Sequence, residues 1–230
     1  MVRDMTEGHP LKRILAFSAP LLLGNLFQQF YSMADSIIVG QYIGVNAFAA
    51  VGSTGSINFL ILGFVQGACM GFAIPVAQEF GAGDMRAMRR CVANAAYLSV
   101  LVAIAVTALT ALFTRDILRW MQTPADIFED AYSYIFIVFA GTGATVLYNL
   151  LASVLRALGD SRTPLIYLII ASIINIALDV VLIAVIPLGV AGAAYATVAS
   201  QLISGLLCLW HIKRKFLILH IEKQERKLDK

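Results

Sequence analysis

Long apolar runs recur along the chain at residues 14–39, 51–77, 92–113, 131–154, 165–186 and 190–212. Between them lie short stretches that collect glycine, aspartate and arginine. Each run is near the roughly 20 residues that carry an α-helix across a bilayer. The runs are continuously apolar, without the two-residue alternation of a membrane strand. Because backbone groups in lipid must satisfy one another, the pattern predicts six membrane-spanning helices in an all-α polytopic bundle. The first run is longer than the apolar core of a cleaved signal peptide, and no small-residue cleavage site parts it from the second.

Composition agrees with the pattern. Of 230 residues, 60% are hydrophobic and 13% charged, where a soluble domain carries about 25% charged residues. A core of this size cannot hide so much apolar surface from water, so lipid must cover part of it. Cys69, Cys91 and Cys208 are far apart and form neither a metal spacing nor a disulfide framework.

The 17 Lys and Arg residues are distributed by topology. Arg3, Lys12 and Arg13 precede the first run, Arg86, Arg89 and Arg90 lie between the second and third, and Arg156 and Arg162 between the fourth and fifth. Seven more follow the sixth run, and only Arg115 and Arg119 fall on the other side. The positive-inside rule then places both termini in the cytoplasm. Residues 1–212 read as one transmembrane unit and residues 213–230 as a basic cytoplasmic tail, either solvated or lying on the membrane surface. Residues 114–130 read as the one longer external loop, with a short amphipathic turn.

Charges inside spans are costly and mark function by default. Asp35 stands in the first run and Asp179 in the fifth, with Asn175 one helical turn before it. Both acids fall in the outer half of their helices, where Tyr134 and Thr197 also belong by count. Two carboxylates, an amide, a phenol and a hydroxyl in one layer can hold a proton or bind a small cation such as sodium. Helix capping or hydrogen bonding within the bundle is the alternative role of the two acids.

Pro20 and Pro164 each precede an acid by fifteen residues and are expected to kink their helices. With the Gly44-Val45 and Gly189-Val190 turns that follow, they suggest related hairpins. Gly63, Gly67 and Gly71 form a small-residue stripe that reads as plain helix packing. Gly83-Asp84 and Gly159-Asp160 read as tight turns. The chain has no Walker glycine-lysine loop and no visible nucleophile-base pair, so neither an ATP-driven pump nor an enzyme is expected.

The stretch Pro20 to Gly52, the segments QEFGAGD (Gln78 to Asp84) and RALGDSRTP (Arg156 to Pro164), and the Asn175/Asp179 helix together resemble the multidrug and toxic compound extrusion (MATE) family. The resemblance covers nearly the whole chain and implies a secondary exporter of organic cations or amphipathic compounds, working by antiport with protons or sodium. It implies no cofactor beyond the coupling ion. Asp35, Asn175, Asp179 and Thr197 would form the coupling-ion site, sodium included, with Tyr134 beside it. Gln28 would border the substrate cavity and Pro20 would mark the bend of the first helix.

Members of the family have two six-helix lobes, and this chain matches the N-terminal one. It is therefore expected to be a fragment, to form a homodimer, or to pair with a separate C-terminal lobe. The expected surroundings are plasma-membrane lipid and small-molecule cations or drugs, with no nucleic acid. The alternatives are a flippase for lipid-linked oligosaccharides or lipids, and a non-transporting membrane subunit. Flippases of this kind tend to line their cavity with basic residues, and Lys and Arg are nearly absent from these spans.

Overall fold

The computed structural model describes residues 10–215, among which helices alternate with short turns and no strand occurs. The helices are α1 (Pro10–Tyr42), α2 (Val45–Ser53), α3 (Gly55–Ala82), α4 (Met85–Trp120), α5 (Phe128–Ala140), α6 (Thr142–Ala157), α7 (Arg162–Asp179) and α8 (Val190–Lys215), with a π-helical segment at Val180–Val185. Four stretches are long and apolar enough to cross a membrane: α3, α4, α7 with its π segment, and α8. The bent pair α5 and α6 makes a fifth. At 33 residues, α1 is long enough to cross a bilayer at about 1.5 Å per residue. Its apolar character is lowered by Asn25, Gln28, Gln29, Ser32, Asp35 and Ser36. The six apolar runs thus fall on six helical passages.

Several local features differ from the sequence expectation. Pro164 sits in the first turn of α7, where its missing N–H costs nothing, so it starts that helix instead of kinking it. The fourth passage bends by 46° between α5 and α6, with no proline at the break. The expected external loop is mostly helix, since α4 runs on to Trp120 and α5 begins at Phe128. Side chains added at Gly63, Gly67 and Gly71 would meet nothing within 4 Å, so this stripe is not packed against another described helix. The basic tail beyond residue 215 lies outside the described residues.

The two Gly-Asp turns are built alike. Gly83 (φ 80°) and Gly159 (φ 82°) take the left-handed conformation that suits glycine. Asp84 then accepts from the backbone N–H groups of Arg86 and Ala87, and Asp160 from those of Arg162 and Thr163. Each aspartate caps the helix that follows and satisfies donors that would otherwise be orphaned.

At the centre stands α8, which touches α1, α5, α6, α7 and the π segment. Half of its apolar window is buried, against 11% for α4. Small buried residues permit this: Gly192, Ala193, Ala194, Ala196, Ser200, Ser204 and Gly205. A Cβ at Gly192 would come 3.1 Å from the Leu182 carbonyl oxygen, and one at Gly205 3.0 Å from the Leu147 side chain. Two apolar clusters flank the centre, one around Met88, Leu155 and Leu158 and the other around Leu118, Ile135 and Phe139. Outward-facing Leu112 and Trp120 remain 75% and 77% exposed, a surface that lipid tolerates and water does not.

Candidate functional site

The pair α1 and α7 packs side by side, with Gly24 facing Leu165 and Leu168. This pairing brings two acids from distant parts of the sequence to one buried place. Asp35 is 4% exposed and Asp179 0%, and the two carboxyl groups are near enough to couple electrostatically. Tyr134, 5% exposed on α5, lines the same open space as Asp35. Asn175 lies one turn before Asp179 on the same face of α7 and is fully buried. Thr197 comes from α8 and is half-buried. The five residues expected from sequence therefore gather from four helices.

Their polar atoms are incompletely satisfied. Oδ1 of Asp35, both carboxylate oxygens of Asp179, both polar atoms of the Asn175 amide and the Thr197 hydroxyl are buried without a protein hydrogen-bond partner. Such groups are rare in folded proteins and call for a reason. A set of carboxylate, amide and hydroxyl oxygens suits a hard cation or a proton and does not suit a soft transition metal. The donor chemistry therefore fits the coupling ion that the resemblance implies.

Immediately after Asp179 the helix widens. Ile186 N–H reaches back five residues to the Val181 carbonyl at 3.0 Å, and Leu188 N–H bonds to the Leu182 carbonyl at 2.9 Å. This π segment leads into the Gly189 turn (φ 61°) and the start of α8. Single π turns are common where a helix carries a functional side chain.

A cavity of about 440 Å³ opens beside the acids. Asp35, Tyr134, Thr197 and Gln28 are in its wall, while Asn175 and Asp179 are not and are fully buried. Pro20 borders a second, smaller cavity, which Gln28 also reaches. Sequence reasoning missed much of the main wall, including Tyr31, Asn58, Asn149 and Gln201. Tyr31 stands with Asp35 and Thr197 in the wall of this cavity. Its place one turn before Asp35 was the available signal. The remaining polar residues needed the tertiary arrangement to converge.

The sequence model of the MatE family matches residues 20–181. The probable multidrug resistance protein YpnP of Bacillus subtilis (strain 168) is 32% identical over 94% of this chain and 48% of its own length. The probable multidrug resistance protein YoeA of the same organism is 34% identical over 93% of this chain and 48% of its length. A crystal structure described as MATE in the bent conformation superposes with a TM-score of 0.89 at 26% identity, covering 96% of this chain and 50% of that one. The chain thus spans about half the length of the relatives it matches.

Proposed function

This chain belongs to the MatE family, a family of multi-pass membrane transporters and not of enzymes, and on that premise we propose that it works as one lobe of an ion-coupled exporter of amphipathic organic cations. The observation that carries the reading is the buried pair Asp35 and Asp179, with orphaned oxygens, at the edge of an open polar cavity. Negative charge there costs much in low dielectric and is relieved by a proton or a sodium ion. Asp35, Asn175, Asp179 and Thr197 would hold the ion, with the Tyr134 hydroxyl steadying Asp35. Asp35 also reaches the cavity wall, so ion and cationic substrate compete for one carboxylate. Binding of either shifts the preferred packing of α1 against α7, which is the differential affinity that alternating access needs. Gln28 and the neighbouring amides supply hydrogen bonds to the substrate.

A cavity open on one side requires a second wall. A second copy of this chain or a separate six-helix lobe would provide it, related by an axis along the membrane normal. The distribution of Lys and Arg supports a plasma-membrane orientation with both ends in the cytoplasm.

The test is export from vesicles that hold this chain together with whatever lobe completes it. Asp35→Asn and Asp179→Asn are each expected to abolish ion-driven export of a fluorescent organic cation without reducing the amount of protein inserted. Normal export by both variants would refute the reading.

A further inference from the structure

Behind the main cavity, toward the end of α6, lies the smaller cavity of about 40 Å³. The two share Asn25, Gln28, Gln66 and Asn149, so their walls are continuous and the junction is lined by four carboxamides. At the far side of the junction the wall includes Arg156. Among the described residues this half-buried side chain commits only its Nε, which donates to the Ala152 carbonyl at 3.0 Å. The hydroxyl of Tyr148, the nearby phenol, is spent on the Pro164 carbonyl at 3.3 Å. The ion pairs seen among the described residues, Arg115–Glu129 and Arg119–Asp116, do not involve Arg156. A guanidinium so placed keeps a pair of N–H groups for a planar oxyanion.

We infer that Arg156 is the anion-accepting end of the substrate cavity, and that the lobe takes zwitterions with a cationic centre near Asp35 and a carboxylate at Arg156. The inference deepens the reading of this cavity as a substrate site and rests on it. Direction and length both follow from the helices. From the amide junction α1 rises two turns from Gln28 to Asp35, while α6 descends from Asn149 toward Arg156. The Nε bond to Ala152 draws the guanidinium back by a turn. At about 1.5 Å per residue the charged ends stand roughly 15 Å apart along the helix axes. That is the length of an extended drug-sized molecule, too long for an amino acid. The carboxamides between them donate and accept without a preference of sign.

The probes are 11-trimethylammonio-undecanoate, whose charges lie at opposite ends of an extended chain, and its methyl ester, which lacks the negative one. Equilibrium binding of each radiolabelled compound is measured to the whole chain in nanodiscs, with empty nanodiscs subtracted. The unaltered chain is expected to bind the acid more tightly than the ester. Arg156→Gln is expected to weaken acid binding by roughly tenfold, the scale of one charge-assisted hydrogen-bonded contact, and to leave ester binding within about twofold. Arg156→Lys keeps the charge without the fork and is expected to fall between. Equal effects of Arg156→Gln on acid and ester, no effect on either, or no binding of either compound by the unaltered chain overturns the inference. Asp35→Asn separates the two readings. Weaker binding of both compounds supports the cation site, whereas unchanged binding with the Arg156 discrimination intact would refute Asp35 alone.

Discussion

Gly141 and Val198 occupy space that admits no further atom. A Cβ at Gly141 would fall 2.3 Å from Cγ2 and 2.6 Å from Cγ1 of Val198. Here the bent fourth passage crosses α8, and both helices carry site residues close by. Tyr134 lies two turns before Gly141, and Thr197 is the neighbour of Val198. Near the bend the Phe139 carbonyl accepts from the Thr107 hydroxyl at 3.4 Å, which ties α5 to α4 there.

Gly141→Ala is therefore expected to destabilise the lobe by about 1–3 kcal/mol, the usual cost of overpacking a filled interior. Removing both offending methyls with Val198→Ala should recover most of the loss in the double variant. Thermal unfolding in detergent measures both. Additive losses would show that the contact does not set the helix crossing.

The same substitution on α3 has the opposite sign. Gly67 faces open space and its helix is regular. Gly67→Ala is expected to leave the fold intact and to raise stability by about 0.5–1 kcal/mol through the lost flexibility of the unfolded chain. A clear fall in the unfolding midpoint of the monodisperse lobe would mean that the glycine stripe packs against something in solution.

What could be read from the sequence depended on how strongly lipid punishes the alternative. Six passages were legible because uninterrupted apolar runs have few other fates. Asp35 and Asp179 were legible because an acid in such a run is rare, and their shared depth followed from counting residues along helices. The bend at Gly141 was not, since nothing local distinguishes it from Gly143 or Gly205. The side chain that leaves Gly141 no room for a Cβ, Val198, is nearly sixty residues further on. The π segment after Asp179 likewise lacks a local marker among Val, Leu, Ile and Ala. Pro164 misled in the opposite direction, because a proline kinks a helix only when a turn precedes it. In sequence Arg156 is only a charge on the cytoplasmic side, and its place in a cavity wall needs α1, α6 and α7 together.

The two Gly-Asp turns offer a graded comparison. Asp84 is exposed and accepts two backbone N–H bonds, at 3.0 and 2.9 Å. Asp160 is 6% exposed and accepts two backbone bonds and the Thr163 hydroxyl at 2.7 Å. Losing a helix cap costs about 0.5–2 kcal/mol, and a buried cap leaves its donors without water to replace it. Asp160→Ala is expected to lower the thermal midpoint clearly more than Asp84→Ala. Equal shifts would assign the difference in burial no energetic weight.

Orientation can be tested with the natural cysteines nearly silent. Cys69 and Cys208 are buried, and only the half-buried Cys91 needs replacing, by serine. In that background Asp116→Cys, on the side with few basic residues, is expected to react with a membrane-impermeant maleimide added to intact cells. Arg214→Cys, at the basic end of α8, is expected to react only after permeabilisation. The charge argument makes the outcome sharp, since fifteen of the 17 Lys and Arg residues lie on the side assigned to the cytoplasm, and translocating short basic segments is what the positive-inside rule forbids. The reverse labelling pattern would invert the lobe. The cavity end at Arg156 would then face outward and the carboxylate pair would lie toward the cytoplasm, so the direction of transport proposed from this architecture would reverse with it.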